Sequence, residues 1–257
     1  MAELNGGPVG ADELRALALT NYGHFTTMRV EGGRVRGLAL HLARLARDCR
    51  AVFGADLDAG RVRELARRAA PASGTGIVRI TVFDPALDIG RLGADGEPQV
   101  LVTARPAGGL QLPPLRVKSV EFVRDAPEIK SVGLFGALLQ RRAAQLAGFD
   151  DALFTDAAGT VSEGGTWNVG FVRGGEVVWP DAPCLAGTTM ELVRQVHPGT
   201  DESVRLTDPA GFDAAFATNV AIGVRAIRTI DGLELPGGHP VIERLQRAYL
   251  DIPGDRL

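Results

Sequence analysis

The sequence predicts an α+β fold in two domains, and three observations predict it. Short runs of alternating apolar residues occur in both halves, the period of strands with one buried face. Between them lie segments whose apolar residues recur every three or four positions, the period of helices. Near the middle, PAGGLQLPP over residues 106–114 gathers three prolines and two glycines without periodicity, which marks a linker. The boundary is therefore placed at 109/110, with a small N-terminal α/β domain over 1–109 and a larger, barrel-like α/β domain over 110–257.

Taken in order, TTMRVEGGRVRGL reads as two strands around Gly32-Gly33, a hairpin signal. LALHLARLARDCRAVFG carries Leu38, Leu42, Leu45, Cys49 and Phe53 at helical spacing, and AGRVRELARRAA is a second helix. GIVRITVF and PQVLVTARP are strands separated by a Gly/Asp-rich loop at 84–97, long enough to suggest a flap or functional loop. After the linker, LRVKSVEFV alternates as a strand and residues 131–147 read as a helix. DDALFTD, TVSEG, WNVGFV and EVVWP are short strands, with tight turns at Ala158-Gly159 and Gly174-Gly175. GTTMELVRQV starts a helix at a glycine, DAAFATN and VRAIRTID are strands, and PVIERLQRAYL is a closing helix. Many short strands with few helices suit a barrel-like second domain.

Composition narrows function. Charged residues make up 23% of the 257 and the net charge is -3, so nothing suggests nucleic acid or an anionic membrane as a partner. Cys49 and Cys184 are too few for a disulfide framework and have no metal spacing, and His24, His41, His197 and His239 are scattered. No metal is expected. MAELNGGPVGADEL lacks the apolar core of a signal peptide and no run has the length of a membrane span, so a cytoplasmic protein is expected. Lys130 stands at a strand-to-helix junction, between FVRDAPEI and an apolar helix, a place where such folds expose functional groups. A hydrolase using Ser131 or Ser162 would lack a convergent histidine.

The stretch RDAPEIKSVGLFGALLQRRAAQLAGFDDALFTDAAGTVSEGGTWNVGFV resembles the central signature of the class IV aminotransferases: a lysine opening a helix, an ALF strand (Ala152-Leu153-Phe154), then Glu163, Asn168 and Phe171. LAGTT at 185–189 resembles the family's LxGxT element, and GHFTTMRV followed by LHLARL resembles its early element. These motifs, in the right order, cover residues 22 to about 230. The family holds D-amino-acid and branched-chain aminotransferases and aminodeoxychorismate lyase. It implies fold type IV, pyridoxal 5'-phosphate as cofactor and a homodimer.

The resemblance also implies roles. Lys130 would form the Schiff base and shuttle the α-proton. Glu163 would face the pyridine nitrogen and keep it protonated. Arg44, Gly187, Thr188, Thr189, Thr218 and Asn219 would hold the phosphate, the glycine-led helix start offering free N–H groups, and Asn168 would join the cofactor set. Strand alternation puts Phe25, Thr27 and Arg29 on one face, which the family turns to substrate. Arg29 or Arg124 would pair with a substrate carboxylate. Trp167 and Trp179 read as core or interface residues rather than substrate readers.

The chain departs from the family pattern at Gly133, where Asn is common, at Leu134, where an aromatic is common, and at Met190, where Arg is common. These changes bear on substrate identity. FTTMRV and the TN pair at 218–219 resemble the lyase branch, in which Thr27 or Thr26 would assist proton handling and the products would be pyruvate and an aromatic amine. IKSVGLFG resembles the D-amino-acid aminotransferase branch, and with Gly133 and Arg124 it tips the expectation to a transaminase acting between a small amino acid and a 2-keto acid. A relative that has lost activity and serves as a binding protein is the reading from another class; retention of Lys130 with Glu163 argues against it.

Overall fold

The computed structural model describes residues 2–94, 96–206 and 211–257. In chain order the elements are β1 (Ala2–Leu4), β2 (Gly7–Pro8), α1 (Ala11–Thr20), β3 (His24–Glu31), β4 (Arg34–Val35), α2 (Leu38–Phe53), α3 (Ala59–Ala69), β5 (Thr75–Phe83) and β6 (Gln99–Pro106). There follow β7 (Leu115–Glu121), α4 (Phe135–Leu146), β8 (Asp151–Thr155), β9 (Val161–Gly164), β10 (Asn168–Arg173), β11 (Glu176–Pro180), α5 (Thr188–Val196) and β12 (Thr200–Glu202). β13 (Ala214–Asn219), β14 (Gly223–Ile230), β15 (Leu233–Glu234), α6 (Pro240–Asp251) and β16 (Asp255–Arg256) complete the chain. It divides into two compact units. The first runs through Gly108 and also takes Ile129–Gly133 and Pro253–Leu257; the second is Gly109–Glu128 with Leu134–Ile252.

The first unit is built on a sheet in the order β16-β4-β3-β5-β6-β1-β2. The β3–β4 hairpin turns on Gly32 and Gly33, both at positive φ, with Glu31 paired to Arg34 across them. A two-residue loop of that kind needs φ > 0 at both positions. Along β3 and β5, alternation sends Met28, Val30, Val78 and Ile80 into a core with Leu45 and Cys49 of α2 and Val62 and Leu65 of α3. Each such fully buried side chain contributes about 1.5–3 kcal/mol by leaving water. The opposite face carries Phe25, Thr27 and Arg29, with Thr81, Arg79 and Ile77 directly across on β5. In the 84–97 loop, Asp84 accepts from the N–H groups of Ala86 (2.8 Å) and Glu97 (3.0 Å), fastening the start of the loop to its end.

One expectation is corrected here. The helix read from residue 131 starts at Phe135, so Lys130 does not open it. Residues 130–132 run extended beside the start of β3: Phe25 N–H donates to Lys130 O (2.9 Å) and Val132 N–H to Gly23 O (3.0 Å). Along that edge of β3, β4 pairs with Val30 and Glu31, so the other end of the edge would be left without partners. Buried backbone groups need them, and the 130–132 segment supplies them. The sequence reading also passed over β1, β2, α1, β12, β15 and β16. They are short or, like α1, bury no residue, and such segments leave no periodic signature.

The second unit holds a sheet ordered β12-β11-β10-β13-β14-β7-β8-β9, with β15 beside β14. Its pairs are parallel at β7–β8, β7–β14 and β11–β12 and antiparallel elsewhere. The turn from β9 to β10, closed by Gly164 N–H to Trp167 O at 2.7 Å, brings the end strand back to the middle of the sheet, which therefore curls in the barrel-like manner expected. Its core includes Leu153, Val169, Phe171, Ala215 and Ile227, with Trp167. Trp179 is also fully buried, edge-on to Phe216.

Candidate active site

Helix α2 supplies the first group of site residues. His41, Arg44 and Asp48 follow one another at three- and four-residue spacing, share one face of the helix and are all buried. Arg44 Nη2 donates to Thr26 Oγ1 (2.8 Å), and the same hydroxyl lies 2.8 Å from His41 Nδ1. A guanidinium can only donate, so the threonine accepts from Arg44 and turns its own proton to Nδ1. Burial, then the charges of Arg44 and Lys130, hold His41 well below the usual imidazole range, and it is neutral. Burial lowers Arg44 to about 10 against the opposing pull of Asp48, which leaves it charged at neutral pH. Asp48 receives Arg47 on one oxygen (2.7 Å) and the backbone N–H of Lys130 on the other (3.1 Å). Thr26 is thereby engaged on the α2 side, and of the two threonines Thr27 stands on the Phe25–Arg29 face.

That face carries a second group. The ammonium of Lys130 lies 4.9 Å from the centre of the Phe25 ring, and the guanidinium of Arg79 lies 3.6 Å from the same ring. Arg79 Nε donates to Thr81 Oγ1 (3.2 Å). Burial lowers its pKa, with no carboxylate contributing. Arg29, expected to receive a substrate carboxylate, already donates to Glu31 (2.7 Å) and to Gly108 O (2.8 Å). The sequence reading missed Arg79, His41 and Asp48. The alternation GIVRITVF could have revealed Arg79, because its arginine falls on the same face as Thr81, against the apolar alternation.

In the second unit Glu163 is buried at the end of β9 and accepts from Arg124 Nη1 (3.3 Å) and from Leu185 N–H (3.4 Å). Arg124, the other expected carboxylate binder, is thus turned to the carboxylate of Glu163. Asn168 donates to Leu185 O (2.7 Å). A Cβ on Gly187 would stand 2.1 Å from Asn168 Oδ1, so glycine is required there for the chain to pass the amide. α5 begins immediately after, at Thr188, and exposes its first N–H groups. Thr189 Oγ1 and Thr218 Oγ1 are buried without a hydrogen-bond partner among the described residues. Asn219 does otherwise: its carbonyl accepts from Ala221 and Ile222 N–H and its amide donates to Thr166 O, so it shapes the β13–β14 turn. Met190 is buried, as a side chain on the core face of α5 must be. A cavity of about 510 Å³ lined in part by Leu112, Ile222, Arg247 and Leu250 contains none of the expected site residues.

The class IV amino-transferase family model matches residues 23–230. The chain belongs to the class IV aminotransferase family. A branched-chain-amino-acid aminotransferase of Pseudomonas aeruginosa is 30% identical over 152 residues, 54% of this chain and 50% of that protein. The chain spans about half the length of that curated relative in the match. Among solved structures, the branched-chain aminotransferase of Thermoproteus uzoniensis with norvaline superposes with a TM-score of 0.84 at 23% identity, over 97% of this chain and 93% of the other. A hypothetical aminotransferase from Mycobacterium tuberculosis in its PLP-bound form gives 0.82 at 21% identity, over 97% of both chains. These likenesses establish the fold, type IV.

The donors present fit the family's cofactor, pyridoxal 5'-phosphate. In the second unit, two buried hydroxyls with no partner among the described residues and a glycine-led helix start are donor types that a phosphate takes; in the first unit, the buried, charged Arg44 is another such donor type. A buried carboxylate at Glu163 suits a protonated ring nitrogen.

Proposed function

We propose that the protein is a pyridoxal-phosphate-dependent aminotransferase that moves an amino group between a small amino acid and a 2-keto acid. The observation that carries this reading is the pairing of Lys130 and Arg79 over the one ring of Phe25. An amine and a guanidinium fixed on one aromatic suit a substrate with a reacting carbon beside a carboxylate. When bound, the cofactor supplies an aldehyde that captures amines and a pyridinium that takes up the electron pair left at the α-carbon. Lys130 provides the amine for attachment and then carries the α-proton at Nζ. Glu163, with Arg124 behind it, holds the proton on the ring nitrogen. In the second unit Thr188, Thr189 and Thr218 would hold the phosphate, with Gly187 and Asn168 shaping its approach; Arg44, in the first unit, is by its chemistry a phosphate donor as well. Arg79, in place of Arg29 or Arg124, receives the substrate carboxylate through charge-assisted hydrogen bonds. The branched-chain aminotransferase relatives favour a transaminase with an aliphatic substrate.

Thr27 supports a second reading, a lyase releasing pyruvate and an aromatic amine, because it stands directly across from Arg79 on the Phe25 face. Product analysis separates the two: a transaminase consumes the keto acid in step with the amine, and the lyase releases pyruvate without an acceptor.

A homodimer belongs to the same proposal. α4 turns Phe135 (75% exposed), Leu139 (47%) and Leu146 (71%) to solvent, an apolar surface that monomers rarely leave open. Two cysteines present as free thiols accord with a reducing cytoplasm, and no helix among the described residues is long and apolar enough to cross a membrane.

The deciding experiment is the visible spectrum of the purified protein with added cofactor, before and after borohydride, beside Lys130→Ala. A yellow band that borohydride fixes in the wild type and that the variant lacks is the expected result. A colourless wild type overturns the reading in favour of a binding protein.

A further inference from the structure

Between Glu163 and Asn168 the chain makes the turn 164–167, and this turn is gripped from behind by a carboxylate that no step described so far uses. Asp151, at the start of β8, has its side chain almost wholly buried. Its Oδ2 accepts the indole N–H of Trp167 (2.9 Å). Its Oδ1 accepts Arg141 Nε (2.9 Å) and the backbone N–H of Ala152 (2.8 Å). Arg141, on α4, then donates through Nη2 to Thr166 Oγ1 (2.6 Å). The carboxylate thus ties two consecutive residues of the turn, one directly and one through the arginine, to a strand and a helix.

The turn has little room to adopt another shape. A Cβ on Gly164 would stand 2.0 Å from the Trp167 ring, and one on Gly165 would stand 2.9 Å from Asp151 Oδ1. Gly165 N–H donates to Ala152 O, and Asn219 donates to Thr166 O (3.1 Å). A buried carboxylate with both oxygens engaged is costly to assemble, because two charges leave water for it. Two apolar side chains would pack the same space at less cost. What the ion pair adds is direction, since a bidentate guanidinium and an indole N–H accept few geometries.

We propose that Asp151 is a positioning residue, which through Trp167 and Arg141 sets the 164–167 turn so that Glu163 and Asn168, at its two ends, meet the cofactor in register. It touches neither cofactor nor substrate. The inference rests on the cofactor reading given above, and its test separates the two.

The apo forms of full-length wild type, Asp151→Asn, Trp167→Phe and Thr166→Val are titrated with pyridoxal 5'-phosphate, following dissociation constant, absorption maximum and the pH dependence of the spectrum. Thr166→Val keeps bulk while removing one hydrogen bond, and Trp167→Phe removes one while keeping an aromatic ring of smaller size, so they report even where Asp151→Asn folds poorly. Asp150→Ala is the control, since the carboxylate of the neighbouring Asp150 is more exposed and pairs with Arg116 rather than with the turn. By analogy with the residues that orient metal ligands, Asp151→Asn and Trp167→Phe should weaken cofactor binding about 10–100-fold. Thr166→Val should weaken it less, all three should shift the spectrum, and Asp150→Ala should do neither. Wild-type dissociation constants and spectra in all three variants, even with lower melting temperatures, overturn the positioning role while leaving the cofactor reading intact. A wild type that binds no cofactor overturns both.

Discussion

The two units present their site residues by different means. In the first, the side chains other than Lys130 stand on regular elements: His41, Arg44 and Asp48 on one face of α2, Phe25, Thr27 and Arg79 on one face of a sheet. Buried charges and neutral histidines hold them. In the second unit they stand where regular structure ends. Glu163 and Asn168 flank a turn, Gly187 and Thr188 start a helix, and Thr218 lies near the end of a strand. Backbone groups and close-packed glycines hold these. The first arrangement should be sensitive to charge and pH, the second to bulk.

Removing Arg44 should break the first arrangement most severely. Truncating one partner of a buried charged contact costs about 2–5 kcal/mol, so Arg44→Ala should weaken pyridoxal-phosphate binding by at least about thirtyfold in equilibrium dialysis. Acid should act next. Burial holds His24 at about 4 against the nearby charge of Asp48, below its ordinary 6.5. The unfolded chain therefore binds a proton that the folded chain refuses between those values. Stability is full above pH 6.5 and falls as the pH drops towards 4, by on the order of 3 kcal/mol. Both ring nitrogens lack partners among the described residues, so His24→Leu should flatten that slope in urea melts between pH 7.5 and 4.5 without loss at pH 7.5. An unchanged slope would move the acid sensitivity elsewhere.

The arginines sharpen the comparison further. Arg79→Ala should raise KM for the carboxylate substrate by about 10–100-fold, the worth of a charged hydrogen bond, while Arg29→Ala, already tied to Glu31, should change KM by less than about threefold. Equal effects would remove Arg79 from its assigned role. A last substitution tests bulk in the second unit. Gly187→Ala puts a methyl against the Asn168 amide and should cost about 1–3 kcal/mol in thermal melts of the apo-protein, with no added pH dependence.

Much of this was legible before any coordinates. The Gly32-Gly33 hairpin, α2, α3, α5, α6 and most strands of both sheets follow from period and turn chemistry, and the order of motifs around Lys130, Glu163 and LAGTT points to the family. The start of α4 was not legible. Residues 131–134 have apolar content that suits a helix, yet the bare edge of β3 takes the backbone of 130–132 as a partner, a long-range demand that local pattern does not record. The surroundings of the arginines were not legible for a related reason. Arg29, Arg79 and Arg124 are alike as letters, and only the positions of Glu31, Glu163 and Phe25 show which two are occupied by carboxylates.

By itself, then, the sequence determined the class of fold, the family, and the residue types that a phosphate and a reactive amine require. Those depend on spacing along the chain, which is one-dimensional information. The tertiary structure alone decided that Lys130 joins the first unit, that Thr26 is engaged by His41 and Arg44 while Thr27 stands on the sheet's other face, and that Asp151 grips the turn beside Glu163. The physical reason is that hydrogen bonds and ion pairs act over about 3 Å in space, between residues that the chain separates by anything from one position to more than eighty.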